Sequence, residues 1–294
     1  MNKFTITQFR AAYPNDDACL DRIFQLRYNN LVCPKCESDN QFKRVKDRRS
    51  YQCPSCGFQI YPTQGTIFEK TTTPLTYWFQ AIFLQTTTRN GVAAKELERQ
   101  LNVCYKTALR MSHQIKLLMA NGKSKEPFTG VIQADESFFG GLNKNRHADK
   151  KISESQGRSC KDKTPVFGMV DLKGNISAHV VADTKGSTLK PLMDKHIDKK
   201  NAVVITDEWL GYSQLKNDEY MHVVIKHLEA EYVRGAFHTN TIEGFWSQLK
   251  RTIKGTHIHV SRRHLQKYVD EVAFRYMNRD KQDTMFETIL GNVV

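Results

Sequence analysis

The stretch GVIQADESFFGG, residues 130–141, is where the chain changes character. Before about residue 128 apolar side chains recur at helical spacing. Here they alternate with polar ones and the run closes on Gly140-Gly141, the pattern expected of a strand with one buried face. Downstream, PVFGMVDLKG (165–174) and NISAHVVADTKG (175–186) read as two strands joined at Lys173-Gly174-Asn175. STLKPLMDKHIDKK (187–200) reads as a helix, NAVVITDEW (201–209) as a buried strand and HVVIKHL (222–228) as another strand. NTIEGFWSQLKRTIKG (240–255) is helical, and further helices run from about 262 to the end. The order β-β-β-α-β, then a strand and helices, predicts an α/β domain over 128–294: a mixed sheet flanked by helices. Between its first two strands lies a basic insertion, 142–163, with too few large apolar residues to pack a core, so it is expected to be a mobile loop.

Upstream, 63–127 reads as helical. Pro74 followed by LTYWFQAIFLQTT starts one helix. In GVAAKELERQLNVCYKTALRMSHQIKLLM (91–119), two helices meet near Asn102-Val103, the first with Leu97 and Leu101 inward, the second with Ala108, Met111 and Ile115 inward. The second carries Lys106, Arg110, His113 and Lys116, which resembles a helix-turn-helix; an ordinary helical hairpin fits the same pattern. Asn102 suits the turn because Asn tolerates left-handed backbone.

Residues 31–62 hold two knuckles, Cys33-Pro-Lys-Cys36 and Cys53-Pro-Ser-Cys56-Gly57, sixteen residues apart. That spacing predicts one structural Zn²⁺ in a tetrahedral four-cysteine site, a zinc ribbon, with Gly57 easing the second turn. Seven cysteines in a chain with no apolar leader argue against a disulfide framework. The hairpin between the knuckles carries Lys43, Arg44, Lys46, Arg48 and Arg49. These suit a phosphate backbone or a solvated tip equally. Residues 1–30 suggest short helices before the ribbon.

The 294 residues hold 44 Lys and Arg against 31 Asp and Glu, a net charge of +13. Nineteen basic and ten acidic residues fall in 1–130, so the excess is concentrated in the front half. Such a balance suits a polyanionic partner, nucleic acid above all, although a merely basic soluble surface remains open. With 39% hydrophobic residues and no apolar run near the ~18 of a membrane span, the chain is expected to be a soluble protein of the cell interior without a membrane partner.

Two acids end predicted strands, Asp135 and Asp207, and Glu243 sits in the first turn of a helix. Adjacent strands would bring the aspartates together and the helix would deliver the glutamate. Three clustered carboxylates need cations between them, and Mg²⁺ or Mn²⁺ prefer such ligands. Two such ions about 4 Å apart activate an attacking oxygen and stabilise the leaving oxygen of a phosphodiester. Each acid also has a structural reading: Asp207 as a turn cap, Glu243 in a capping box with Asn240, Asp135 as a strand-end acid.

The chain resembles the DDE transposases of the insertion-sequence-1595 family, akin to the eukaryotic Merlin elements, over nearly its whole length. The resemblance rests on LVCPKC…YQCPSCG, VIQADESFFGG, VVITDEWLGY and HTNTIEGFWSQLKR…HLQKYVDEVAFRYMNR, with 35 residues between Asp207 and Glu243. It implies a ribonuclease-H-like fold, a catalytic triad of Asp135, Asp207 and Glu243 binding two Mg²⁺, and strand cleavage followed by strand transfer. It also implies a bacterial, nucleoid-associated enzyme that binds terminal inverted repeats and target DNA and pairs element ends as a homo-oligomer. Some relatives have Asn in place of Glu243, followed seven residues later by Lys. Here that Lys is Lys250, nearly two turns on and facing the same way, where it would hold phosphate or remain a solvated lysine. Trp246 is expected in the core and His238 beside the site. A ribonuclease-H-like nuclease, or a non-catalytic DNA-binding regulator derived from a transposase, are the alternatives.

Overall fold

The computed structural model describes residues 4–293 apart from 40, 122–125, 142, 154, 156–158, 218–220, 226–232 and 235–236. The chain forms two units, one built from 1–122 together with 280–294, the other from 123–279.

The first unit begins with helices α1 (Ile6–Ala12) and α2 (Asp16–Arg27). Thr5 and Gln8 close a capping box on α1, and Asn15 accepts from the Ala18 amide on α2. Three short antiparallel strands follow, β1 (Lys43–Arg44), β2 (Tyr51–Gln52) and β3 (Gln59–Ile60), in that spatial order. Next come α3 (Leu75–Thr87), α4 (Ala94–Leu101) and α5 (Tyr105–Asn121). Asn102 ends α4 in the left-handed conformation, φ 50° and ψ 45°, and so makes the turn into α5. The N-cap of α3 is Pro74, which has no acceptor side chain; Asp16 of α2 takes that role, accepting from the Thr76 amide at 2.9 Å and its hydroxyl at 3.0 Å.

The chain end belongs here as well. Helix α9 (Met285–Gly291) inserts Phe286 among Phe4, Phe9, Tyr13, Phe79 and Phe83. Glu287 pairs with Arg22 at 2.5 Å, and Asn292 donates to the Leu118 carbonyl. Residues 280–294, expected in the catalytic domain, therefore complete the first unit. The reason is compositional: Met285, Phe286, Ile289 and Leu290 form an apolar face that needs a partner, and the aromatic cluster provides it.

The second unit is organised by a sheet of β4 (Phe128–Phe139), β5 (Thr164–Asp171), β6 (Ile176–Val180), β7 (Ile197–Asp207) and β8 (Met221–Ile225), ordered β6-β5-β4-β7-β8. The first three strands form an antiparallel meander; β7 and β8 join parallel to β4. This is the ribonuclease-H-like arrangement. Helix α6 (Gly186–His196) connects β6 to β7, and the hairpin β9 (Val233–Arg234) and β10 (Phe237–His238) precedes α7 (Asn240–Arg251) and α8 (Leu265–Met277). The expected helix over 187–200 ends at His196, because Ile197 is buried and pairs with Phe128 at the start of β7. In the insertion, 143–145 and 148–150 form single turns, and Asn143 exchanges two hydrogen bonds with the Ile152 backbone. Residues 142, 154 and 156–158 of that insertion, and 226–228 of the expected last strand, lie outside the described residues.

Alternation along the central strands separates two cores. Ile132, Ala134, Ala202 and Val204 face one cluster with Leu189, Met193 and Tyr212. The other face, with Val166, Val170 and Ala178, packs against Ile242, Phe245, Trp246 and Leu249 of α7 and against α8. Among the described residues no helix is long and apolar enough to cross a membrane.

Candidate active site

Val131 to Gln133 of β4 lie opposite Val203 to Ile205 of β7 in parallel register, and two residues beyond Gln133 and Ile205 stand Asp135 and Asp207. Strand alternation puts both on the face covered by α7. Asp207 is buried, and its Oδ1 accepts from the Trp209 amide at 3.0 Å, so it also caps the turn after its strand. Glu243 is exposed in the first turn of α7. Its Oε1 accepts from Thr239 Oγ1 at 2.8 Å. The N-cap is Thr239, so the capping box with Asn240 does not form. Among the described residues the three carboxylates do not form a group with ligand atoms all within 4.8 Å; the four knuckle cysteines do.

Several neighbours position these acids. Trp246, one turn beyond Glu243, is buried as expected, and its Nε1 also donates to Asp135 Oδ2 at 3.0 Å. On the neighbouring strand Gly168 lies directly opposite Asp135, and a Cβ there would come within 2.7 Å of the Trp246 ring. Gln133 is buried on the same face as Asp135 and accepts from the Thr241 and Ile242 amides, each at 3.1 Å. It thereby satisfies orphan donors at the N-terminus of α7, which has no cap from its own side chains. Its amide nitrogen lies 3.4 Å from Nδ1 of His238, which therefore reaches the site through Gln133. Behind the sheet, burial first, then the charges of Glu136, Asp135 and Asp207, push the Tyr212 hydroxyl far above its ordinary pKa and keep it protonated. Gln133, Gly168 and Tyr212 were not foreseen. The only hint for Gln133 was its place two residues before Asp135, on the same strand face.

In the ribbon, Cys33 and Cys56 sulfurs are 3.6 Å apart and Cys36 and Cys53 3.7 Å. A zinc tetrahedron with Zn–S near 2.3 Å has edges of about 3.8 Å, so the four thiols fit the ion. Burial opposes ionisation of Cys53, but the amides of Cys56 and Ser55 and the neighbouring thiols bring it down to about 6. Each knuckle closes on a left-handed residue, Glu37 (φ 56°) and Gly57 (φ 74°).

The expected DNA contacts divide. Lys106 and Arg110 are exposed on α5, with Arg110 5.8 Å from the centre of the Trp78 ring. Lys116 points inward instead, fully buried and donating to Ser112 Oγ at 2.7 Å. Arg48 is exposed, whereas Arg49 is held inside the unit by the Thr71 carbonyl at 2.9 Å and by Asp16 at 3.4 Å. Lys250 is exposed in the last turn of α7, beside Arg251 and Lys254, which with Ser247 and Gly255 line an open groove.

Residues 127–277, just over half of the chain, match the ISXO2-like transposase domain. The chain belongs to the ISXO2-like transposases. Residues 14–59 match the transposase zinc-ribbon domain, which with the four clustered thiols supports a structural zinc. This transposase is 28% identical, over 285 residues, to a protein of the transposable element ISH50 of Halobacterium salinarum, covering 90% of this chain and 94% of the relative. A transposase-like protein of Haemophilus influenzae is 25% identical over 109 residues, 37% of this chain and 86% of that protein.

Proposed function

We propose that the protein is an active DNA transposase that binds the terminal inverted repeats of its element, cleaves there and joins the freed end to target DNA. The observation that carries this is the adjacency of Asp135 and Asp207 on parallel strands, with Glu243 in the first turn of α7, the helix that covers the same face. Three carboxylates fit hard divalent cations, and Asp135, Asp207 and Glu243 would hold Mg²⁺ or Mn²⁺. Bound there, such ions supply Lewis acidity and a nucleophile at neutral pH.

The chain's own groups do the rest. Trp246 fixes the rotamer of Asp135, Gln133 fixes the start of α7 and hence Glu243, and Lys250 faces the phosphates from two turns along the same helix. Catalysis by positioning needs no covalent enzyme intermediate. The exposed cations Arg48, Lys106 and Arg110 of the first unit hold DNA, and pairing two element ends requires at least a dimer during reaction.

DNA from either side of the gene, incubated with the protein in Mg²⁺ or Mn²⁺, should yield new 3′ ends at matching inverted repeats and joined target products. Asp135→Asn and Glu243→Gln should bind this DNA yet cut it at least 10³-fold more slowly. Cutting by both variants at the native rate overturns the assignment. Nicks without end preference or joining mark a nuclease, and binding without nicks a regulator.

A further inference from the structure

Helix α7 does not stop at Arg251 but continues as a π-helical turn over Thr252–His257. The next residue, Ile258, has φ 62° and ψ −56°, and the His259 amide bonds the His257 carbonyl at 2.6 Å. That is a γ-turn of the rare, strained hand, centred on a β-branched residue. Among the described residues Ile258 is the only β-branched residue with positive φ, and at 82% exposure it is the most exposed large apolar side chain.

The surroundings hold it there. The His257 side chain is buried, its ring 4.6 Å from that of Tyr268 and its Nε2 3.8 Å from Glu271, which also pairs with Arg275 at 2.9 Å. On either side of the turn Ile253 and Val260 pack into the core. The backbone is therefore pinned before and after Ile258, and strain is tolerated only where neighbours over-determine it.

The chain on both sides of this residue is cationic. From Gly244 to Val269 there is no Asp or Glu, while Lys250, Arg251, Lys254, Arg262 and Arg263 are all exposed. A single projecting aliphatic group framed by cations matches a ligand with anionic rails and an apolar stacked interior. A membrane would call for a broad apolar face, whereas unstacking a base step needs one side chain.

We propose that Ile258 is a wedge that enters the base stack of the bound duplex, with Lys250, Arg251, Lys254, Arg262 and Arg263 gripping the phosphates around it. The inference rests on the transposase reading of the site that contains Glu243. At 1.5 Å per residue the helical path from Glu243 to Ile258 is about 20 Å, so the unstacked step should fall roughly six base pairs from the cut. Distorting the duplex there would ease the bending of an element end or target toward the acids.

The test uses the full chain and duplexes carrying an element end and its flank, with 2-aminopurine placed singly at each position within about ten base pairs of the repeat end. The wild type and Ile258→Leu should raise fluorescence several-fold at one step. Ile258→Gly, which also relaxes the turn, should abolish the rise while keeping low-salt affinity within about tenfold, because phosphate contacts dominate binding. Lys254→Ala and Arg262→Ala should each lower the salt slope of binding by about 0.9. Equal fluorescence with Ile258→Gly overturns the wedge. So does loss, in that variant, of self-association or of binding to phosphatidylglycerol vesicles with no change on DNA. Unstacking needs no cleavage and is also read with Glu243→Gln. Cutting without unstacking overturns the wedge alone; unstacking without metal-dependent cutting overturns the catalytic reading alone.

Discussion

The indole nitrogen of Trp246 donates to Oδ2 of Asp135 across 3.0 Å, so a core residue of α7 sets the orientation of a strand carboxylate. Trp246→Phe keeps an aromatic ring in the core and deletes the donor. Strand cleavage should fall about tenfold, and stability by about 1.5–3 kcal/mol, as for loss of a hydrogen bond to a charged group. Gly168→Ala should be at least as damaging, because its Cβ would meet the ring at 2.7 Å. Cleavage rates and melting curves of the two variants check this; an unchanged rate with Trp246→Phe removes the indole from the site's design.

Gln133 caps α7 from the sheet, so its replacement should act on Glu243 without touching it. Gln133→Met preserves volume and leaves the Thr241 and Ile242 amides unsatisfied, a cost of about 1–3 kcal/mol. Urea unfolding should show that loss. Activity should fall with the apparent affinity for Mg²⁺ weakened, since the helix start would no longer be fixed.

Asp16 gives a pH prediction for the first unit. Burial works to raise its pKa, but the Thr76 and Leu75 amides, the Thr76 hydroxyl and Arg49 outweigh it and hold the carboxyl below its ordinary value. Its contribution is therefore complete above the unfolded carboxylate pKa of about 3.9 and is lost as pH falls through the lower folded value. Asp16→Asn should lower the melting temperature of the first unit at pH 7, and the gap to wild type should narrow below about pH 4. A gap that is constant with pH would assign Asp16 a packing role only.

Zinc should be present at one ion per chain, and Cys56→Ser should lose it. Because the metal's binding energy is folding energy for so small a module, chelation should unfold the ribbon and weaken DNA binding. The sheet, in a separate unit, should keep its circular dichroism and melt as before. Metal analysis with calorimetry before and after chelation decides the point.

Strands β4 and β7, the four-cysteine ribbon and the turn at Asn102 were legible because each depends on local pattern: alternation, ligand spacing, a residue that tolerates positive φ. The family resemblance put names on Asp135, Asp207 and Glu243. What stayed hidden is tertiary. Nothing in the local sequence tells that Gln133 caps a helix 108 residues later, or that Arg49 is spent on Asp16 rather than left outward. Lys116 looked like part of a basic helix face, yet its position in the helical period turns it inward beside Ser112. The π-helical turn and the γ-turn at Ile258 have no propensity signature, since both arise from anchoring on α8.

Phe286 is the last aromatic of its cluster to be synthesised, some 200 residues after Phe83. The first unit therefore cannot finish folding until the sheet unit has been made. A product interrupted anywhere in that unit carries an open aromatic cluster and an unfinished first unit. If the proposed function holds, fragments left by premature termination would make weak competitors for DNA, and assembly there would be reserved for molecules that already carry all three acids.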